Sequence, residues 1–386
     1  MNSVTLLEAW ANINSGSRNL AGLEAMRAAL AIEFAKLPFT NLVHVALPGT
    51  QALALKLDVR PAANRQVFLS GHYDTVYGVD HPFQRCSYPD ANMLRGPGVA
   101  DMKGGLVVML EALRRLEQTP YATVLGYEVL LTPDEETGSI HSKPLLDAIA
   151  HSKRHDFALV FEPARANGDL VKSRKGTGTF TITVHGKAAH AGRDPKSGQN
   201  AILALTEILP QVNRIQDEMP GILVNVGKIQ GGGPVNIVPD FASADFNLRI
   251  TAIEEGDFFL RRVHEILLSF NDRGGCRAEI DGHFDRKPKV STHFEERLFE
   301  AWRGCSRELN TDFSWQHVGG GSDGNLLSSA GLDNLDGLGP IGDHLHSDRE
   351  YCLIDSLTQR AAIASLFLQK YASGSIHLSS EHPPLE

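Results

Sequence analysis

Short apolar runs alternate with helix-like segments over the first part of the chain. Apolar positions at helical spacing from Leu23 to Leu37 predict a helix that ends near Pro38. The apolar runs that follow are LALKL near residue 53, QVFLSGH at 66–72, EVLLTPDEE at 128–136 and FALVFEP at 157–163, and a helix is predicted from GGLVVMLEALRRLEQ. This alternation is typical of an α/β domain in which buried parallel strands are joined by helices.

The pattern changes after residue 175. Residues 177–185, 222–230 and 241–250 alternate between apolar and polar, as half-exposed antiparallel strands do, and two helices separate them. We therefore predict a smaller α+β domain over 176–287, inserted into a larger domain made of 1–175 and 288–386. A long amphipathic helix is predicted over about 353–372, and the tail SSEHPPLE is predicted to be disordered.

Composition and charge exclude several classes of protein. The chain of 386 residues is 42% hydrophobic and 22% charged, which is typical of a soluble globular protein. Its net charge of −9 and the absence of a Lys/Arg-rich run argue against a nucleic-acid partner. No window approaches eighteen consecutive apolar residues, and the four cysteines occur singly, so we predict a cytoplasmic protein with reduced thiols and no membrane partner. An acidic small substrate would need a local cationic pocket.

Side chains that can bind a metal follow three of the apolar runs. His72 and Asp74 end the second run, Glu135 and Glu136 end the third, and Glu162 ends the fourth. Ligand sites in open α/β sheets gather at the carboxyl ends of the strands. The sequence therefore predicts a site where these strands end.

Each of these motifs has a simpler interpretation when it is taken alone. His72 and Asp74 would point to one side of an extended segment, so one could bind a metal while the other steers it, but a solvated or buried structural histidine is also possible. Asp101, in GPGVADMKGG, could be a helix cap. The acids at 134–136 could be a solvated cluster, although like charges repel unless a cation or protons compensate them.

Two further residues complete the candidate metal ligands. Glu162 follows a strongly apolar strand, where a carboxylate needs a partner or a metal. His346, in GDHLHSDREY, supplies a second imidazole, with His344 and Asp348 as alternatives. Two imidazoles with several carboxylates suit zinc or a similar divalent ion better than magnesium or an iron-sulfur cluster.

These motifs together resemble the di-zinc metallopeptidase family of glutamate carboxypeptidase, succinyl-diaminopimelate desuccinylase, acetylornithine deacetylase and the aminoacylases. The resemblance spans nearly the whole chain and is carried, in the family's order, by HYDTV, GPGVADMKGG, the DEE triplet, FEP, HGKAAHAG, GGGPVNIVP and HSDREY. It implies a mixed, mostly parallel sheet flanked by helices as the catalytic domain. It also implies that 176–287 is a lid and dimerisation domain with an antiparallel sheet and two helices.

The resemblance implies a role for each candidate ligand. Two Zn²⁺ ions per subunit, for which Co²⁺ or Mn²⁺ could substitute, would share a bridging hydroxide. The implied roles are His72 and Glu162 on one zinc, Glu136 and His346 on the other, Asp101 bridging both, Asp74 orienting His72 and Glu135 as general base. The family also carries a cis peptide after the bridging aspartate, here between Asp101 and Met102.

The resemblance also implies substrate contacts and a homodimer. His190 would donate to the oxyanion in the partner subunit's site, whereas from sequence alone it could be a surface histidine. Asn236, Arg249 and Arg286 resemble positions that contact a substrate carboxylate, which a guanidinium holds with two parallel hydrogen bonds. The backbone amides of Gly320, Gly321 and Ser322, in GGGSDGN, could bind substrate or simply form a connecting loop.

The leading functional hypothesis is a zinc hydrolase that cleaves an amide bond next to a free carboxylate, as a glutamate carboxypeptidase does. The segment INSGSRNLAG also resembles that branch. An N-acyl amino acid deacylase, of the desuccinylase or deacetylase type, is the alternative, so the expected substrate is a small peptide or an N-acyl amino acid. A binding protein without catalysis and a dinuclear phosphoesterase are less favoured, because all presumed ligands and Glu135 are present and glutamates outnumber the aspartates that phosphoesterase sites use.

Overall fold

The computed structural model of the protein describes residues 2–38, 40–273 and 275–378, except the side chain of Thr40. The predicted disordered tail from Ser379 lies outside this range. The chain forms two compact units. The larger unit comprises Met1–Ser173, Ser291–Val318 and Ser322–Glu386, and the smaller unit comprises Arg174–Val290 and Gly319–Gly321.

Helices and strands are numbered here in chain order. The helices are α1 Ser3–Ala11, α2 Leu20–Phe34, α3 Lys103–Glu117, α4 Lys143–His151, α5 Ala201–Glu218, α6 Ile253–Asn271, α7 His293–Glu308, α8 Asp323–Ser329 and α9 Ile354–Ser373. The strands are β1 Thr40–Ala46, β2 Leu53–Val59, β3 Arg65–His72, β4 Ser87–Asp90, β5 Met93–Arg95, β6 Leu125–Thr132, β7 Phe157–Val160, β8 Leu170–Arg174, β9 Gly176–His185, β10 Leu223–Gly231, β11 Phe241–Ile250, β12 Arg277–Arg286, β13 Trp315–Val318, β14 Asn334–Asp336, β15 Gly342–Asp343 and β16 Tyr351–Leu353.

A mixed sheet forms the centre of the larger unit. Its strand order is β1-β2-β6-β3-β7-β14-β8-β13, and the central strands β6, β3, β7 and β14 run parallel. Every residue of β6 and β7 is buried, as expected for parallel strands covered on both faces. The predicted α/β class with a mixed, mostly parallel sheet is confirmed.

One of the apolar runs was assigned the wrong direction. LALKL lies in β2, which pairs antiparallel with both β1 and β6. The link from β2 to β3 spans residues 60–64, which is too short for the crossover that two parallel strands require. The burial of β2 also alternates in its second half instead of being continuous.

Helix α3 packs closely against the end of β7 because two glycines follow its first residue. A Cβ on Gly105 would lie 1.8 Å from the carbonyl oxygen of Phe161, and one on Gly104 would lie 2.2 Å from that of Val99. Any larger residue would push the helix away from the strand. This close packing brings the turn before α3, which holds Asp101, next to the residue after Phe161, which is Glu162.

A small third sheet joins two distant loops of the larger unit. Its order is β15-β16-β5-β4, and Tyr351, Cys352 and Leu353 pair with Arg95, Leu94 and Met93. The loop that follows β5 is thereby fixed next to the loop that precedes β16. These loops carry Asp101 and His346.

The smaller unit is an antiparallel sheet with two helices. The sheet order is β10-β11-β9-β12, with every pairing antiparallel. Alternate residues of β11 are buried and pack against apolar residues of α5 and α6. The three strands predicted from the alternating pattern are present, and β12 is a fourth that the sequence pattern did not identify.

Candidate metal centre

Three parallel strands deliver candidate ligands to one edge of the central sheet. His72 is the last residue of β3, Glu162 lies two residues beyond β7, and Glu135 and Glu136 form a short 3₁₀ turn just after β6. Parallel neighbours end at the same edge, so these side chains converge. Asp101 and His346 reach the same edge from the two loops that the third sheet holds together.

Asp101 lies between two sets of possible ligands. Its Oδ1 is 3.1 Å from Nε2 of His72, and the same nitrogen is 3.6 Å from Oε1 of Glu162. Its Oδ2 is 3.3 Å from Nε2 of His346, which is 3.2 Å from Oε2 of Glu136. One ligand atom each from His72, Asp101 and Glu136 lie within 4.8 Å of one another. The five predicted ligands therefore come together, with one Asp101 oxygen facing each set.

The three candidate residues near position 346 differ in their contacts. The ring of His344 packs against Tyr351 at 5.9 Å, and the carbonyl of Asp348 accepts a hydrogen bond from Arg95 at 2.9 Å. His346 is the one whose imidazole reaches the carboxylates. The peptide bond after Asp101 is cis, as the family resemblance implied.

The acids at this edge lie close together, and their burial and their charged neighbours shift their pKa values. Burial, followed by repulsion from Asp101, raises the pKa of Glu136 to about 8. Burial opposes ionisation of Asp101 as well, but hydrogen bonds from His346 and His72 hold its pKa well below the usual range. Such a cluster needs compensating positive charge.

The same carboxylates favour the charged form of the two imidazoles. Hydrogen bonds to Asp101 and Glu136 raise the pKa of His346 to about 11. Burial works against the charged form of His72, yet hydrogen bonds to Asp101 and Asp74 raise its pKa well above the usual value. Two imidazole nitrogens with three carboxylates form a mixed nitrogen and oxygen donor set, which fits Zn²⁺ or a similar divalent cation.

Asp74 is fully buried and connects the histidine to the acidic turn. Its Oδ1 lies 3.2 Å from Nδ1 of His72 and accepts the backbone N–H of Glu135 at 3.1 Å. Its Oδ2 accepts the N–H of Glu136 at 3.2 Å and the hydroxyl of Ser17 at 2.7 Å. A carboxylate in this position can orient a ligating imidazole and fix the backbone of the next ligand.

The acids of the DEE triplet separate into different environments. Asp134 accepts the backbone N–H groups of His141 and Ser142, at 2.7 and 3.2 Å, and the Ser142 hydroxyl at 2.5 Å. It therefore supports the turn that leads into α4. Glu136 faces His346. Glu135, which lies between Asp134 and Glu136 in the sequence, is buried.

Glu350, which no sequence motif indicated, supports the loop that carries Asp101. Its buried carboxylate accepts the N–H groups of Ala100 and Asp101 on Oε1, at 2.9 and 3.0 Å. On Oε2 it accepts the N–H of Gly98 at 3.2 Å and the hydroxyl of Tyr77 at 2.7 Å. A carboxylate directly before the apolar strand YCL needs a partner, as Glu162 does directly after its apolar run, and this position was the signal that could have identified Glu350.

The predicted substrate residues Arg249 and Arg286 of the smaller unit lie near each other. Arg249 donates from Nε to Asn247 at 2.9 Å and from a terminal nitrogen to the carbonyl of Gly319 at 3.4 Å. Burial, followed by the nearby charge of Arg286, lowers the pKa of Arg249. Arg174, which the sequence analysis did not single out, donates to the carbonyls of Gly320 and Gly321 at 3.3 and 3.5 Å.

The remaining predicted residues have defined local contacts. Nδ1 of His190, an exposed residue, accepts the backbone N–H groups of Gly192 and Arg193 at 3.1 and 3.2 Å. The carbonyl of Asn236 accepts the N–H of Ala191 at 2.9 Å. Ser322 is buried, and its hydroxyl caps α8 and donates to Asp336 at 2.8 Å.

Comparison with known proteins identifies the family. The model of peptidase family M20/M25/M40 matches residues 68–370. The chain belongs to this family. Carboxypeptidase G2 from Pseudomonas sp. (strain RS-16) is 26% identical over 96% of this chain and 89% of its own. Succinyl-diaminopimelate desuccinylase from Aromatoleum aromaticum is 29% identical over 70% of this chain and 71% of its own.

The fold of this M20/M25/M40 member is shared with solved structures. A tripeptidase from Staphylococcus aureus matches with a TM-score of 0.81 at 22% identity, over 96% of this chain and 98% of the other. The family resemblance inferred from the motifs is thereby confirmed, and the protein is a metallopeptidase-family hydrolase with a group of residues that can bind a metal. Among the described residues, no helix is both long and apolar enough to span a membrane.

Proposed function

We propose that this protein is a zinc-dependent hydrolase that cleaves an amide or peptide bond next to a free carboxylate, in the manner of a glutamate carboxypeptidase. The observation that carries the proposal is the position of Asp101, with Oδ1 at 3.1 Å from His72 and Oδ2 at 3.3 Å from His346. A carboxylate shared by two ligand sets suits a pair of Zn²⁺ ions, or Co²⁺ or Mn²⁺ in their place. In this proposal Glu162 completes the first set and Glu136 the second.

When bound, such divalent cations polarise the substrate carbonyl and lower the pKa of water from about 15.7 toward about 7. Glu135 then acts as general base: its carboxylate accepts a proton from the attacking water and passes that proton to the nitrogen of the leaving amine. The Glu135 side chain is buried, and its backbone is fixed by the 3.1 Å hydrogen bond to Asp74. Asp74 orients His72 and Glu135 together.

In the smaller unit, His190 is proposed as the donor to the oxyanion. Since Nδ1 accepts hydrogen bonds from Gly192 and Arg193, the proton of the neutral ring lies on Nε2, which can donate. Following the family resemblance, His190 serves the partner subunit's site in a homodimer. Arg249 and Arg286 are the proposed guanidinium groups for the substrate carboxylate.

Asn236 and the backbone amides of Gly320, Gly321 and Ser322 are the remaining proposed substrate contacts. The carbonyls of both glycines accept hydrogen bonds from Arg174, at 3.3 and 3.5 Å. The extent of the match to carboxypeptidase G2, over 96% of this chain, supports the carboxypeptidase assignment.

A substrate panel with the zinc-loaded protein tests the proposal. Peptides with a C-terminal glutamate are expected to be hydrolysed, and the same peptides with a C-terminal amide are expected to be resistant because they lack the carboxylate. The variant Glu135→Gln is the matched control, since it should bind zinc without turnover. Zinc binding without hydrolysis of any amide would refute the proposal and indicate a binding protein, and hydrolysis of phosphate esters alone would indicate a phosphoesterase.

The second candidate is an N-acyl amino acid deacylase. It is favoured by the match to a succinyl-diaminopimelate desuccinylase at 29% identity. The metal ligands and Glu135 would act in the same way, because both reactions hydrolyse an amide bond. Efficient hydrolysis of N-acyl amino acids, with glutamyl peptides left intact, would support this function over the first.

A further inference from the structure

A cavity in the larger unit opens directly beside the metal centre. Its volume is about 700 Å³, and its walls are formed by residues 16–20, which lead into α2, and by residues from 75 to 81, after β3. Glu136 and Thr137 form the remaining side. Because Glu136 is also one of the converging ligands, a molecule in this cavity lies next to the reaction centre.

Arg18 lines this cavity and is exposed. Within the described residues 2–38, 40–273 and 275–378, no ion pair or hydrogen bond engages its guanidinium. His81, also in the wall, accepts the N–H of Phe83 at 3.1 Å through Nδ1. The charged and titratable residues of the wall are thus Arg18, His81 and the carboxylates Asp80 and Glu136.

The backbone on both sides of Arg18 is held in place. The N–H of Ser17 donates to the carbonyl of Thr75 at 3.1 Å, and the N–H of Asn19 donates to that of Gly16 at 2.7 Å. The side chain of Asn19 donates to the carbonyl of Asn14 at 3.0 Å. A fixed backbone lowers the entropy that Arg18 would lose on binding a ligand.

We propose that Arg18 binds a second carboxylate of the substrate, beyond the one next to the scissile bond, so that the enzyme prefers dianionic substrates. This inference rests on the proposed amide hydrolysis. The protein carries a net charge of −9, and Asp80 and Glu136 lie in the same cavity wall, so an anionic group needs a local cation there. A guanidinium without a protein partner can form two parallel hydrogen bonds to such a carboxylate.

Two kinds of substrate could supply this carboxylate. One is an acyl chain that ends in a carboxylate, and the other is an acidic side chain in a short peptide. Isosteric pairs distinguish them: an N-succinyl amino acid against its N-succinamoyl analogue, and a peptide with glutamate against the same peptide with glutamine. Each pair differs by one charge at nearly constant shape.

The test compares kcat/KM for both pairs in the zinc-loaded protein and its variants. We expect the wild type to prefer the charged member of at least one pair by about tenfold, the discrimination that a charge-assisted hydrogen bond provides. Arg18→Met should remove this preference while changing the neutral member less than about twofold, and Arg18→Lys should restore part of it. Arg261→Met, at an exposed arginine on α6, is the control and should leave both members unchanged.

Two results would overturn the inference: no preference in the wild type, or an equal loss for both members in Arg18→Met. Binding of the same pairs to zinc-loaded Glu135→Gln, measured by calorimetry, separates this failure from failure of the proposed function. Suppose that the wild type hydrolyses no amide, that the charged member binds about tenfold more tightly than the neutral one, and that Arg18→Met abolishes this difference. The carboxylate site is then supported, and the proposed hydrolysis is refuted. If binding shows no difference, the carboxylate site is refuted.

Discussion

Replacing Glu350 by glutamine should weaken the metal centre although the residue contacts no metal. The substitution Glu350→Gln keeps one carbonyl oxygen to accept the N–H groups of Ala100 and Asp101. It places an NH₂ group against two donors, the N–H of Gly98 and the hydroxyl of Tyr77. The tyrosine hydroxyl can rotate and accept, whereas the N–H of Gly98 loses its partner.

The size of the effect follows from these bonds. A buried N–H without a partner costs about 1–3 kcal/mol, and a hydrogen bond to a neutral acceptor is about half as strong as one to a carboxylate. We therefore expect the metal-loaded Glu350→Gln protein to lose about 2–4 kcal/mol of unfolding free energy. Because the displaced loop carries Asp101, zinc affinity should fall by about 10–100-fold.

Removing the metal should reduce the loss of unfolding free energy that Glu350→Gln causes. Burial, followed by repulsion from Asp101, raises the pKa of Glu350 from 4.5 to about 7. Of these two causes, only the repulsion from Asp101 would be offset by a bound cation, and glutamine does not experience that repulsion. At pH 8 the chelated variant should therefore lose less unfolding free energy, relative to the chelated wild type, than the loaded variant loses relative to the loaded wild type.

Urea unfolding with zinc and with chelator measures both differences, and competition with a chromophoric chelator measures zinc affinity. Tyr77→Phe is the matched control, since it removes one hydroxyl donor and should cost about 1 kcal/mol. Unchanged zinc affinity together with unchanged stability of the loaded Glu350→Gln protein would refute the supporting role of Glu350.

Three further predictions concern the metal centre itself. Glu135→Gln should lower kcat by at least about 100-fold with unchanged zinc content by elemental analysis; retained activity would contradict its role as base. Asp74→Asn should reduce zinc affinity by about 10–100-fold in chelator competition, because it weakens the steering of His72; equal affinity would argue against that role. In chelated protein, the unfolding free energy should fall as pH rises from about 5 to 9. The reason is that two groups have a higher pKa in the folded than in the unfolded protein: Glu136, at about 8 against 4.5, and His346, at about 11 against 6.5. The slope for buried Glu136 approaches about 1.4 kcal/mol per pH unit and that for the half-exposed His346 is smaller; in urea titrations a rise over this range would contradict the assignment.

The convergence of the candidate ligands was predictable because buried parallel strands have continuous apolar sequences. Once β3, β6 and β7 are located, the rule that parallel strands end at one edge brings His72, Glu162 and the acidic turn together. The direction of β2 was not predictable from the same evidence, because an apolar run indicates burial and carries no information on direction. The short link after β2 was the signal to use.

Residues that act through the backbone were harder to predict. Glu350 and Ser17 contact N–H groups and a carboxylate that are distant in sequence, and no motif encodes such pairs. Arg18 lies in INSGSRNLAG, a segment that resembles the carboxypeptidase branch, but its proposed role depends on the cavity that it lines. Charge arithmetic indicated that a local cation was needed but could not locate it.

The segment before α2 lies outside residues 68–370, the part that matches the family model. It nevertheless forms hydrogen bonds with residues next to the candidate metal ligands. Ser15 donates to the carbonyl of Tyr73 at 2.6 Å, Ser17 donates to Asp74, and the buried Lys103 donates to the carbonyl of Ile13 at 2.8 Å. This segment therefore holds the end of the strand that carries His72 in place. We expect that proteolytic cleavage within this segment would release the end of that strand and abolish activity, although every candidate ligand would still be present.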